Sequence, residues 1–541
     1  MSKKMRIRPD VVLASAMIFI LAIMALLVVF FDITGADGVG FLAAPISLFI
    51  IAYCVFICAF ESTTREMVRQ RLSRGQMLSA KKNVRQLMII SVVFGIVLSL
   101  MVAVFAIVFA QFVFHSPRSF YVLLLVSPAF LFLSIQGVLR GYLSGSGFAI
   151  VSVVSDAILT IITVITIFFL SNAIYDYGKK VDALMHVNDI APAYGAIGAA
   201  LGISLSSIIS FIFVVIMVLI RRNDLNELTE SSAPVNLKQK NECVKDLIIS
   251  GIIASTGGLL LFIDECIYLN VAHHLHPQES NIDNWGIYIG QCVALVVFFV
   301  FASSIPFVKS WFGVHISIVK KDYKAARVRL QSLIHFEAML IFPIVIWMMI
   351  LAKTFNTVIF GKSNEAGIDM VILSIPIIIP GAIIVFQTFL LKQLKNNLIM
   401  MSNLILGVVI HLVVLMAMSY AGGFGIHASI AAFAAMFIIQ GILGMIEIKV
   451  MLDVNFMMVR NIVMPLVAAT LAGLVALLID RLLVNLIGEI LTLIIAIVLA
   501  FVLYMLLLIV LKSVNRYEVE RMPLGDYFAI VSDRIYGDSN R

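Results

Sequence analysis

The chain has 541 residues, 62% of them hydrophobic and only 13% charged, with 38 Lys and Arg against 31 Asp and Glu. Soluble domains run at roughly 45–50% apolar and about 25% charged, so the charges here are too few to cover a water-exposed globule. These ratios exclude a soluble enzyme, a nucleic-acid-binding domain and a disordered chain, and they predict an all-α polytopic membrane protein.

A helix needs about 20 mostly apolar residues to cross a hydrocarbon core. Apolar runs of that kind lie near 11–31, 39–60, 87–113, 120–139, 148–170, 194–220 and 247–270, and then near 285–308, 333–351, 367–391, 398–419, 424–446, 462–479 and 489–511, about 14 in all. Lys3, Lys4, Arg6 and Arg8 precede the first run, whose core is too long for a cleaved signal, so it is expected to stay in the mature protein. With the N-terminus cytoplasmic, inside segments carry 32 basic residues. Outside loops carry 6, namely Arg118, Lys179, Lys180, Lys353, Lys362 and Arg481. That asymmetry places both termini inside and accounts for the net charge of +7 without a nucleic-acid partner. The lipid bilayer is the expected surrounding.

An internal repeat organises the runs. The segment 74–85, between runs two and three, and the segment 320–329, between runs eight and nine, are both short, basic and centred on Ala. Run six opens Tyr194-Gly195-Ala196 and run twelve Phe424-Gly425-Ile426, again six runs apart. A period of six gives two parallel repeats related by an axis along the membrane normal, with a transport site between them. The expected organisation is an N-lobe at 1–220, a cytoplasmic linker at 221–246 and a C-lobe at 247–450. Two extra spans at 451–511 and a polar cytoplasmic tail at 512–541 complete it.

A charge at mid-bilayer costs about 2.5–3.5 kcal/mol on insertion scales. Asp156, in run five, shares a face with Ser152, Thr160 and Thr163; it reads either as a cation-coupling site or as a buried Asp bonded to those hydroxyls. Asp264 and Glu265, near the outer end of run seven, read either as coupling carboxylates or as a headgroup-wetted pair. Ser250, Ala254, Gly257 and Tyr268 share the Asp264 face. Cys54 and Cys58 share a helix face, but two thiols alone make a poor metal site, so core packing is expected. His273, His274 and His276 are expected in a solvated loop, and no metal site is predicted. Gln136, Gln291, Gln387, Gln440, His411 and His427 read mostly as helix–helix hydrogen-bond partners. No glycosyltransferase Asp-x-Asp, P-loop or metalloprotease spacing occurs, which argues against an enzyme.

Gly40 opening run two, Leu139-Arg140-Gly141-Tyr142 after run four and the Gly-rich start of run six are the first of a series of short motifs. Ile263-Asp264, Ile305-Pro306 and Phe360-Gly361 continue it. In their order these motifs resemble the MATE-like multidrug/oligosaccharidyl-lipid/polysaccharide (MOP) exporter superfamily. The likeness is to its polysaccharide-biosynthesis, stage V sporulation protein B-like (Wzx-type) branch. Val39 stands where that family usually has an aromatic, and runs one and two lack the arginines of lipid II flippases. The resemblance implies a flippase for a polyprenyl-pyrophosphate-linked oligosaccharide in the bacterial cytoplasmic membrane, working beside polysaccharide assembly machinery. It needs no cofactor, and counter-flow of H⁺ or Na⁺ is implied. A MATE-type small-molecule antiporter is the alternative, and a membrane polymerase or ligase a more distant one. A diphosphate asks for fixed cations, which nominates Arg65, Arg140, Lys309 and Lys392 around the cytoplasmic mouth. Arg140 is expected to start a tight turn.

Overall fold

The computed structural model describes residues 9–187, 190–230, 240–275, 281–361, 365–394, 397–454, 457–520 and 525–536, with side chains from Leu27 onward, a few positions excepted. The elements among them are all helical, and 13 helices are long and apolar enough to cross a membrane. Hydrocarbon offers no partner to backbone N–H and C=O groups, so a chain this apolar satisfies them within each segment. The protein is a multi-pass membrane protein. It divides into two compact units, residues 1–290 with 413–429, and residues 291–412 with 430–541.

The first unit begins with α1 (Pro9–Tyr53), which holds predicted runs one and two and breaks at Gly35, where φ is 70° and ψ −173°. That conformation belongs essentially to glycine. A π-helical turn, Cys54–Phe60, leads into α2 (Glu61–Ser73), followed by α3 (Met77–Val108), α4 (Ser119–Gly145) and α5 (Ile150–Met185). Then come α6 (Ile190–Ile220), α7 (Arg222–Glu230), α8 (Lys240–Leu275) and α9 (Ile282–Ile287). α8 runs antiparallel to the second half of α1: Gly251 faces Ala59, Gly258 faces Ile50 and Ile51, and Glu265 reaches the Ala44 backbone.

Several expected loops are helical. The outside loop predicted at 171–193 is largely the continuation of α5, because nothing stops that helix before the left-handed residue His186. The basic segments at 74–85 and 320–329 supply the first turns of α3 and α12, and part of the linker is α7. Ala and long charged side chains are good helix formers, so polarity alone did not end these helices.

The second unit contains α10 (Ala294–Ser304), α11 (Val308–Val319), α12 (Tyr323–Ile350), α13 (Ala352–Phe360), α14 (Glu365–Ser374) and α15 (Ile378–Gln393). α16 (Asn397–Met416) and α17 (His427–Leu452) follow, and residues 413–429 of that pair belong to the first unit. α18 (Met464–Ile487), α19 (Glu489–Val510), α20 (Arg516–Val519) and α21 (Gly525–Tyr536) complete the chain.

The added pair α18–α19 is held to α12 by specific bonds. Pro343 has no N–H, which leaves the Met339 carbonyl without its helical donor; the Tyr504 hydroxyl of α19 donates to it at 2.9 Å. Trp347 Nε1 donates to the Ala469 carbonyl at 3.0 Å, and the Thr354 hydroxyl lies 2.9 Å from Asp480 Oδ1. The small face Ala468, Ala469, Ala472 and Ala476 admits this approach. The tail is not simply polar: Val514, Val519, Phe528 and Ala529 are buried in the same cluster. Arg460 ties it down through the Ser513 carbonyl at 3.0 Å and Glu518 at 2.7 Å. Tyr504→Phe keeps the ring but loses the bond to the Met339 carbonyl. It should lower unfolding free energy by about 0.5–1.5 kcal/mol, read as a reduced Tm of the detergent-solubilised protein.

Candidate functional site

Gly137, Gly141 and Gly145 recur every four residues on one face of α4. A β-carbon at Gly137 would strike the Phe56 carbonyl. At Gly141 it would meet Thr64 and the Glu61 carbonyl, and at Gly145 Val68 and the Arg65 carbonyl. Small residues at this spacing let helix backbones approach closely in a membrane. They seat α4 along the π turn and α2 and bring Arg140, next to Gly141, into the contact.

Arg140 is 2% exposed. Its Nη1 and Nη2 donate to Asp156 Oδ1 and Oδ2 at 2.6 and 2.7 Å, while Nε lies 2.8 Å from Glu61 Oε2. The Tyr53 hydroxyl donates to Asp156 Oδ1 at 2.9 Å, and Arg65 stands 3.8 Å from Glu61. Forked arginine–carboxylate bonds of this kind are among the strongest in proteins. Eight residues of plain α-helix would leave Tyr53 and Glu61 about 80° apart. The π turn between them takes up one extra residue and cuts the offset to about 20°, so both face the same cluster. Asp156 is the open edge, its side chain 32% exposed.

Below the cluster the polar bonding continues. Gln136 Nε2 donates to the hydroxyls of Ser155 (2.7 Å) and Ser210 (2.8 Å), and the hydroxyls of Thr163 and Ser206 lie 2.7 Å apart. The second unit repeats the theme, with Gln387 Nε2 donating to the Gln440 carbonyl at 3.0 Å. Gln136 precedes Arg140 by four residues and Gln387 precedes Lys392 by five, in the runs that the six-span period pairs.

Arg140 and Asp156, nominated for different roles, are thus partners. Arg140 lies inside α4 rather than in a turn, since the helix continues to Gly145. Asp156 is bonded to Arg140 and Tyr53, and the hydroxyls of Thr160 and Thr163 turn instead to the carbonyls of Asp156 and Leu159. Arg65 joins the cluster through Glu61. The side chains of Lys309, on α11, and Lys392, on α15, lie outside the described residues. Asp264 and Glu265 are 0% and 2% exposed, which excludes the headgroup-wetted reading. Glu265 lies within hydrogen-bonding reach of Trp285 and the Ala44 backbone. Ala44 and Tyr53 are separated by about 13 Å along α1, so this pair is distinct from the Arg140 cluster. Gly257, on the Asp264 stripe, faces open space.

Sequence reasoning missed Tyr53 and Glu61. Glu61 follows run two directly and reads as a headgroup-level charge, while the Gly137-Gly141-Gly145 spacing was the available sign of a partner helix. Core packing fails for Cys58, which is exposed. His273 and His274 lie in the last turn of α8, where His273 stacks on His115 with ring centroids 4.0 Å apart. His276 lies outside the described residues. Among the described residues no group of three or more metal-binding side chains forms.

Compared by sequence, the chain matches no known family profile and no curated protein. Compared by structure, it is similar to a multidrug resistance MATE family transporter of the MOP superfamily in an inward-facing conformation. Identity is 12%, the match covers 80% of this chain and 94% of that one, and the TM-score is 0.61. It is also similar to the lipid II flippase MurJ (12% identity, 92% and 98% coverage, TM-score 0.62). A third similar structure is a MOP superfamily transporter from Pyrococcus furiosus (13% identity, 83% and 97% coverage, TM-score 0.55). The chain shares the fold of these structures. Within that fold the Arg140 cluster joins the end of α1, α2, α4 and α5, across the π turn between α1 and α2.

Removing one member of a buried ion pair costs about 3–5 kcal/mol, because the other charge is left uncompensated. Arg140→Leu should lower stability by about that amount. Adding Glu61→Gln and Asp156→Asn to it should restore part of the loss, checked by thermal unfolding in detergent.

Proposed function

We propose that this MOP-fold protein is a flippase carrying a polyprenyl-pyrophosphate-linked oligosaccharide across the bacterial cytoplasmic membrane, with both termini cytoplasmic. On this reading the six-span lobes 1–220 and 247–450 alternate access around the linker 221–246. The added spans 451–511 and the tail 512–541 brace the second lobe. The protein catalyses no covalent step and delivers its cargo to polysaccharide assembly machinery.

The observation that carries this reading is how far the structural likeness extends. The match to the lipid II flippase covers 92% of the chain, too much to omit the whole stretch 451–541, against 80% and 86% for two MATE transporters. The added pair, bonded to α12, is thus partly included in the likeness to a lipid flippase. A second reading, a cation-coupled small-molecule antiporter, is favoured by the Arg140 cluster. Both faces of that guanidinium are occupied by carboxylates, so it offers no free cation to a diphosphate.

Full-length protein in vesicles containing a fluorescent polyprenyl-diphosphate sugar separates the two. A flippase moves inner-leaflet label to where an impermeant reductant quenches it; protein-dependent efflux of a cationic dye without lipid movement supports the antiporter instead. Asp264 is the proposed coupling carboxylate, with Asp156 and Glu265 as further candidates. Asp264→Asn should abolish dependence of transport on an imposed H⁺ or Na⁺ gradient at normal protein levels. Undiminished gradient dependence removes Asp264 from the coupling step.

A further inference from the structure

A cavity of about 100 Å³ opens within the first unit, at the end of α8 remote from the linker. Its lining includes Tyr268, Val271 and Leu275 of α8, with Ser419, Gly423 and Gly425 from the connection between α16 and α17. Tyr268 and Ser419 are 7% and 4% exposed. Neither hydroxyl has a hydrogen-bond partner among the described residues, yet neither oxygen is sealed off from the space beside it. Native structures rarely leave buried polar groups unmatched by protein, water or ligand, and here two such hydroxyls line one cavity. Glycine keeps that space open. Gly423 and Gly425 have φ of 61° and 55°, a conformation glycine adopts without steric cost. A β-carbon at Gly425 would stand 3.9 Å from the Tyr268 ring, and one at Gly423 would meet nothing. Trp285 stacks on Tyr268 from behind, with ring centroids 5.4 Å apart.

We propose that this cavity binds one edge of a neutral sugar. A sugar carries adjacent hydroxyls on a ring whose C–H groups are apolar. The hydroxyls of Tyr268 and Ser419 each donate and accept, so they match such a pair, while the tyrosine ring, Val271 and Leu275 take the C–H groups. No charged residue is among those described as lining the cavity. An ionic ligand would lie there without a countercharge, which costs far more than burying a hydroxyl. An apolar cavity of about 150 Å³ admits benzene, so this smaller one takes an edge of the ring and leaves the rest in the opening. With both termini cytoplasmic this end of α8 lies outside, where a flipped sugar headgroup arrives, but the site itself does not depend on that reading.

The probe is methyl glucoside, added to the full-length protein in a detergent without a sugar headgroup and read by saturation-transfer NMR. Binding should be saturable. Ser419→Leu, which fills the cavity, should abolish it. Tyr268→Phe, which keeps the ring and the fold, should weaken it about 2- to 10-fold, the worth of one hydrogen bond. Glycerol has the adjacent hydroxyls without the ring and should compete at least about fourfold more weakly, the worth of one buried CH₂. Absence of a saturable signal overturns the site, and so does binding that either substitution leaves unchanged. Glycerol competing as well as the glucoside overturns the sugar as its occupant. Binding of the free sugar is read without transport, so its failure leaves the flippase proposal standing, and a failure of lipid movement leaves this site standing.

Discussion

A guanidinium cannot stand alone in an apolar interior: the effective penalty is several kcal/mol per ion even after relaxation. Arg140 meets that constraint with two carboxylates from two different segments, Glu61 and Asp156, plus the Tyr53 hydroxyl on the second of them. Much of the local irregularity of the first unit follows from it. α4 must approach closely enough for Nε to reach Glu61, hence glycine at 137, 141 and 145. The second span must present Tyr53 and Glu61 on one side, hence a π turn where a plain α-helix would separate them.

The same solvent imposes a second rule, visible at the prolines. Association of helices within lipid has no hydrophobic driving force, so close packing and interhelical hydrogen bonds hold spans together. Pro128 leaves the Leu124 carbonyl without a helical donor. Ser127 bonds that carbonyl, and Ser204 of α6 bonds the next one, Leu125. Pro343 leaves Met339 in the same state, and Tyr504 of α19 supplies the donor. At Pro343 the freed carbonyl draws its donor from another span; at Pro128 it is bonded within its own helix, and Ser204 of the neighbouring helix takes the carbonyl beside it.

The spans were legible because apolar length is a local property, and so was the division of the first helical stretch, where Gly35 sits between two apolar runs. Helix ends were not legible. α5 continues through 171–185 because Ser171, Asn172, Asp176 and Lys179 are tolerated on a helix that no proline or glycine stops. The buried tail was hidden because the run Tyr527-Phe528-Ala529-Ile530-Val531 is too short to cross a membrane and is recognisable as core only once α18–α19 stand beside it. At the site, Asp156 was picked out by its depth and Arg140 by its place in the motif after run four, but their pairing was not. Partnership across 16 residues and a turn depends on how two helices face each other, and the π turn that aims Glu61 leaves no mark in composition.

The charge balance of the cluster constrains any mechanism that uses Arg140. With both carboxylates in place the charge of the guanidinium is paired twice over, and the open edge belongs to Asp156. On the flippase reading a diphosphate engaging Arg140 has to displace Asp156, because Glu61 is buried behind it and Asp156 is the partly exposed partner. That exchange strips a carboxylate of its countercharge in a low-dielectric setting, where an unpaired ion costs far more than in water. Asp156 must then take up a proton or a cation before the anion can stay. Were Asp156, a further candidate, the coupling residue in place of Asp264, cargo and coupling ion would be linked at one residue by electrostatics alone. On the antiporter reading the order reverses: a cation competes with Arg140 for Asp156, and the guanidinium falls back on Glu61. In both cases Arg140 has to part from Asp156, and Glu61 is the carboxylate left to pair with it.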